Sequence, residues 1–182
     1  MGRIHGALIG ALWIMNALPL PLAAQRRVPG SSIEAYHAAV GRAFPVSADE
    51  VGILAEWQLR PAEIVVVLFV AGRAGVSPDA VASLRSSGGR WADVLRRYSV
   101  DPGALWISFP AGTDLGPLES TYRTFSETPR ASWASIDLSD QVVIALVNIR
   151  ILAREAGVST ARVLRAWESV GDFVLVHQRI TR

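Results

Sequence analysis

Gln141-Val142-Val143-Ile144-Ala145-Leu146-Val147-Asn148-Ile149-Arg150-Ile151-Leu152-Ala153-Arg154-Glu155 is a fifteen-residue run in which Gln141, Asn148 and Glu155 fall seven apart. Seven residues make close to two helical turns, so these three groups form one polar stripe on an otherwise largely apolar helix. The run is also longer than an ordinary strand, which centres on ~5–6 residues. It therefore predicts a helix, and it decides a second segment that is ambiguous alone. Ile64–Val70 is apolar throughout and rich in β-branched residues, a pattern that suits a buried strand equally well.

The two segments belong to one pattern. Ala74-Gly75-Val76-Ser77 recurs as Ala156-Gly157-Val158-Ser159, eighty-two positions later, and at that offset eleven of the thirty-five positions from Ile64 to Tyr98 are identical. Val81 pairs with Val163, Gly89 with Gly171, Val94 with Val176 and Arg97 with Arg179, while Trp91 matches Phe173 in kind. If the second copy is helical, so is the first. Pro61 suits a first helical turn, where a missing N–H costs nothing. Gly75 and Gly157 suit a left-handed helix end, and Ser77 and Ser159 suit N-caps of the next helix. After Gly89 and Gly171 a third helix follows, with Trp91, Val94, Leu95 and Tyr98 on one face. The expected fold class is all-α: two similar three-helix units, about 61–98 and 141–180, packed as one globular domain. Two copies are fewer than an open solenoid needs.

Upstream, Ser47 and Glu50 form a capping box for a helix reaching about Leu59, after an earlier helix over Ile33–Ala43. Between the units, about 99–137 reads as a long irregular connecting loop with Pro102, Pro110, Pro117 and Pro129. Pro102–Trp106 suits a short helical turn, and Phe109–Ser135 shows no persistent period. Long connections of this kind are often functional, which makes the loop the expected place for specific contacts.

The N-terminus has the three parts of a secretory signal peptide, assigned to residues 1–24. Arg3 supplies positive charge, Ala7–Leu18 carries none, and Leu22-Ala23-Ala24 precedes Gln25 after Pro19 and Pro21. A spanning helix needs ~20 apolar residues, and the run to the first proline is nearer twelve. Arg26-Arg27 follows the apolar run and so is not a twin-arginine signal. With no cysteine, lipid modification of an N-terminal Cys and disulfides are both excluded. The expectation is an exported chain, periplasmic or extracellular, whose single helical domain is 25–182 and has no membrane span after cleavage.

Half of the chain is hydrophobic, which argues against disorder. All eighteen basic side chains are arginine, and the formal charge is only +2. The isoelectric point of about 9.6 reflects arginine's failure to titrate below pH ~12, not a polycation. No nucleic-acid partner is expected from so small an excess.

Catalytic and metal-binding sets are not apparent. His37 and His177 are the histidines beyond the leader, and His177 aligns with Leu95 on the apolar face of a third helix. Asp49-Glu50, Asp137 and Asp140 are the densest carboxylates, all at expected helix starts, where negative charge complements the dipole. No metal-ligand spacing, nucleophile elbow or phosphate-cradling glycine loop occurs, so no metal and no cofactor is expected. Ala92-Asp93-Val94-Leu95-Arg96-Arg97 with Ser99-Val100-Asp101 loosely resembles a helix-turn-helix core, but Ser99 stands where glycine is usual. Aromatic stripes are more often core than platform. Trp106 and Trp133, which flank or enter the loop, are the better binding candidates.

Val66-Val67-Leu68-Phe69-Val70-Ala71, Ala74–Ser77 and Arg90–Val94, with Trp133, Ile136, Leu138-Ser139-Asp140 and Val147–Arg150, resemble a group of uncharacterised exported bacterial proteins. The resemblance spans about Ser47–Arg179, leaves Phe109–Glu127 unmatched, and implies export and a duplicated three-helix unit. That group has no assigned activity, catalytic residue or cofactor. The leading functional expectation is a non-catalytic envelope protein that binds a protein or a cell-surface polymer. The alternatives are an envelope hydrolase using His177 with a nearby carboxylate between the repeats, and a helix-turn-helix-like nucleic-acid binder. The leader yields a direct test. Intact mass of the protein recovered from its native envelope should correspond to a chain starting at Gln25, and a mass retaining Met1 would overturn the cleavage.

Overall fold

A computed structural model describes residues 30–182, so the leader and its cleavage point lie outside the described residues. The described residues form nine α-helices and no strand: α1 (Gly30–Ala43), α2 (Ala48–Ala55), α3 (Pro61–Ala74), α4 (Pro78–Ser86), α5 (Trp91–Arg97), α6 (Glu119–Glu127), α7 (Asp140–Ala156), α8 (Thr160–Val170) and α9 (Phe173–Ile180). Short 3-10 turns cover Pro102–Leu105, Gly116–Leu118 and Arg130–Ser135. The chain is all-α, and Ile64–Val70 is helical. Among these residues no helix is long and apolar enough to cross a membrane.

Local chemistry sets the helix ends. Gly75 and Gly157 close α3 and α7 at φ +67° and +63°, a region glycine enters without a Cβ clash. Ser77 and Ser159 then accept from the amides of Ala80 and Arg162 at 3.4 and 3.2 Å. Ser47 and Glu50 form their reciprocal capping box. However, α2 stops at Ala55, short of Leu59: Gln58 turns to φ +57°, and Arg60 precedes Pro61, which disfavours helical geometry at that residue.

The core is organised around α3 and α7, which pack on each other. Residues 63–71 of α3 and 143–149 of α7 are buried on every side. A helix that is apolar all round must be enclosed. Accordingly α4 and α5 cover one end of the pair, α8 and α9 pack against α7, and α1 lies across α7, α9 and α3. The polar stripe of α7 faces α1 rather than water at its centre. Asn148 is fully buried, accepts from the Tyr36 hydroxyl, and donates to the carbonyls of Ala62 and Ile144 at 2.9 and 2.8 Å. One amide thereby satisfies groups on three helices, as burial of a polar side chain requires. Farther along the stripe, Glu155 meets Arg42 of α1 at 3.7 Å.

A second polar node joins α3, α4, α5 and α7. Arg85 of α4 contacts Glu63 at 2.7 Å and Asp140 at 2.7 Å, and also donates to the Gly89 carbonyl at 2.7 Å. Asp140 in turn accepts from the Trp91 amide at 2.7 Å, capping α5 from another helix, while Arg85 stacks over the Trp91 ring at 5.1 Å. Burial would raise the Glu63 carboxyl, but hydrogen bonds and charge from Arg60 and Arg85 hold it below its ordinary value.

The connection over 99–137 is more ordered than its sequence period implies, because it contains α6 and the three 3-10 turns. Leu115, Leu118, Tyr122 and Phe125 recur at three- and four-residue spacing and turn inward, with Leu118 and Phe125 buried. The segment is part of the core. After α5 the chain makes only the four-residue turn Pro102–Leu105, too short for the recognition helix of a helix-turn-helix.

Arg85→Met should lower stability by about 3 kcal/mol, because it leaves the buried Glu63 carboxylate with only the exposed Arg60 as a charged partner. Glu63→Gln in the same chain should recover part of that loss. Chemical denaturation of both variants checks this, and equal stabilities for the single and double variants would rule out the charge argument.

Candidate functional site

A cleft of about 610 Å³ lies between α5 with its following turn and the segment Ala134–Leu138. Leu95, Val100, Ile136 and Leu138 are buried around it and give it an apolar floor. The turn is what shapes it. Ser99 adopts φ +54°, and the Val100 amide reaches back to the Leu95 carbonyl at 2.8 Å. This helix-end motif folds Val100 under α5. A non-glycine residue in that conformation costs roughly 1 kcal/mol, so Ser99 does adopt the geometry usual for glycine there.

Charged groups form the rim. Arg90 lies 3.3 Å from both Asp93 and Asp137, and Arg96 lies 3.0 Å from Asp93. The hydrogen bond from Arg90, with Arg96 nearby, holds the Asp93 carboxyl below its usual value. These are exposed pairs that can exchange partners at little cost. Ser99, Ser135 and Asp101 complete the lining.

The wall of this cleft is itself distinctive. From Ile136 to Ser139 the chain is extended, and its side chains alternate buried, exposed, buried, exposed, the two-residue period of a strand. The main-chain groups of Asp137 and Leu138 make no hydrogen bond among the described residues. Ile136, Asp137 and Leu138 also line a second groove of about 330 Å³, together with Leu118, Thr121, Gln141 and Trp167. The extended segment thus borders two grooves. No histidine lines either groove, and the Ser135 hydroxyl donates to the Ser132 carbonyl. The arrangement offers apolar burial, two guanidiniums and unpaired main chain, a set suited to holding a ligand.

Trp106 and Trp133 are brought together, 5.3 Å apart, in a cluster with Phe125 and Tyr122. Trp133 is buried, and its indole N–H donates to the carbonyls of Phe125 and Thr128 at 3.1 and 3.0 Å. Trp106 is half-buried and edges a shallow hollow of about 280 Å³ with Phe109, Pro110 and Tyr122. Arg150 anchors this region to α7 by donating to the carbonyls of Ala104 and Trp106 at 2.8 and 2.6 Å. Both tryptophans thus take part in packing the connection. The cleft residues Leu95, Arg96, Ser99 and Val100 fall within the stretch whose helix-turn-helix likeness was its visible signal, and Arg90 lies just before it. What that signal marked was a tight turn.

His177 is buried against Tyr36, with ring centroids 6.1 Å apart, and among the described residues its Nδ1 has no hydrogen-bond partner. The Nε2 of His37 is likewise buried and unpartnered. No carboxylate hydrogen-bonds either imidazole, and among the described residues no three His, Asp or Glu side chains cluster as metal ligands. Burial lowers both imidazoles below their ordinary value, and Arg42 adds to the effect at His177.

No family model matches the chain, and neither a curated protein nor a solved structure does.

The unpartnered imidazoles make stability pH-dependent. They are neutral in the fold but protonate near pH ~6.5 once unfolded. Their contribution is therefore complete above that pH and is lost as pH falls toward the lower folded values. His177→Leu, which places here the residue found at position 95, should flatten the decline in denaturation midpoint between pH 7 and pH 5. An unchanged slope would exclude His177 as a source.

Proposed function

We propose that this chain is a non-catalytic, exported binding protein of the cell envelope, and that it holds an extended segment of another envelope protein. The observation that carries this reading is the extended segment Ile136–Ser139: strand-like side-chain alternation, main chain at Asp137 and Leu138 that makes no hydrogen bond among the described residues, and two grooves bordered by it. An extended peptide laid along such an edge gains main-chain hydrogen bonds, and the flanking grooves take its alternate side chains. The apolar floor supplies burial, and Arg90 and Arg96 on the rim supply selection by charge. Export rests on the leader at residues 1–24.

The finer architecture belongs to the same proposal. The runs α3-α4-α5 and α7-α8-α9 are read as one unit used twice, as in the exported proteins the sequence resembles. Supporting this, both share a left-handed glycine closure followed by a serine cap. In addition, Trp167 stacks on Phe173 at 5.6 Å where the aligned Arg85 stacks on Trp91.

The test uses a photo-crosslinking residue at Ala134, exposed on the cleft lip. In the native envelope it should give a discrete protein adduct that Ala92→Trp, which fills the cleft, abolishes without lowering thermal stability. An adduct of the same size and yield from Glu34 on the exposed side of α1, or one indifferent to Ala92→Trp, would defeat the proposal.

A further inference from the structure

A separate groove of about 350 Å³ lies on the α8–α9 pair, lined by Arg162, Arg165, Ala166, Ser169, Arg179 and Ile180. It contains three guanidiniums and no carboxylate. Among the described residues, Arg73, Arg97, Arg123, Arg130, Arg150 and Arg182 meet no carboxylate, whereas Arg42, Arg60, Arg85, Arg90, Arg96 and Arg154 each meet one within ion-pair distance. Among the described residues, none of the three groove arginines does.

Two carboxylates belong to these helices, and neither lines the groove. Glu168 lies against the backbone of Gly116, so close that a side chain there would overlap it. Asp172 caps α9, accepting from the amides of Val174 and Leu175 at 2.8 and 3.0 Å. Residues 1–29 contain no Asp or Glu, so that segment has no carboxylate to bring to the groove. Arg162, Arg165 and Ser169 are spaced three and four apart on one face of α8. Arg179 of α9 is held toward them by donating to the Ser169 hydroxyl at 2.6 Å. That contact pre-orders one guanidinium and leaves the serine proton free to donate.

We propose that the α8–α9 groove binds a soluble small molecule carrying two adjacent phosphates. Three arginines lining one hollow suit the several oxygens of such a group, because each guanidinium can donate a bidentate pair. A cavity of this size lies in the range of small-ligand sites. No aromatic ring lines the groove, so bases of a single-stranded nucleic acid would have no surface to stack on. The exposed large apolar side chains, Ile53 and Trp57, are on α2 and its following turn, not beside this groove. A bilayer would thus find nothing here to bury.

Inorganic pyrophosphate is the probe. Titration calorimetry at low ionic strength should show saturable binding of pyrophosphate about tenfold tighter than orthophosphate. Arg165→Gln and Arg179→Gln should each weaken it about tenfold, whereas the exposed Arg97→Gln on α5 should not. Unchanged thermal melts show that the variants are folded, and Arg162→Gln replaces either one that is not. Non-saturable binding, equal loss in Arg97→Gln, or binding only to phosphatidylglycerol vesicles or a DNA oligomer would each overturn the proposal. These outcomes are independent of the crosslinking at Ala134, which reads the other cleft.

Discussion

Two helices that are apolar on nearly every face impose the condition the whole structure meets. α3 and α7 can be stable in water only when surrounded. No single neighbour covers a cylinder, so several short helices are needed, and each is half-apolar because its other half is solvent-facing. The short lengths of α4, α5, α8 and α9 follow from that role. Even the connection between α5 and α7 is drawn in, since Leu105, Leu118 and Phe125 finish the enclosure.

Enclosing apolar helices leaves open which way round they sit, because hydrophobic contact is not directional. The buried polar groups supply direction. Asn148 finds its three partners only when α1, α3 and α7 are in one register. Arg85 reaches Glu63 and Asp140 together only when α4 sits across the starts of α3 and α7. Each node would be costly if half-satisfied, so both select one packing among many of similar apolar area. His37 and His177 are the counterexample: among the described residues each keeps a buried ring nitrogen without a partner, and burial lowers both pKa values, which favours the neutral form.

The two candidate ligand surfaces arise at the margins of this core. The cleft lies beside Ile136–Ser139, the short extended stretch that leads into α7, where among the described residues the main-chain groups of Asp137 and Leu138 make no hydrogen bond. The arginine groove has no acidic lining residue, and Asp172 beside α9 is engaged as that helix's cap.

How far the sequence could be read divides along the same line. Helix identity, the glycine closures at 75 and 157, the serine caps and the Ser47–Glu50 box were all legible, because each depends on residues within a turn or two. The helix over Glu119–Glu127 was legible in principle, from the spacing of Leu115, Leu118, Tyr122 and Phe125, but prolines and polar residues around it masked the period. The sequence by itself determined that the described chain is helical and where most of its helices begin and end. Only the tertiary structure decided that Asn148 faces α1, that Trp133 is buried, that Arg85 bridges two carboxylates and that Arg162, Arg165 and Arg179 line one groove. Those outcomes depend on groups far apart in the chain, whose meeting is set by packing and not by local pattern.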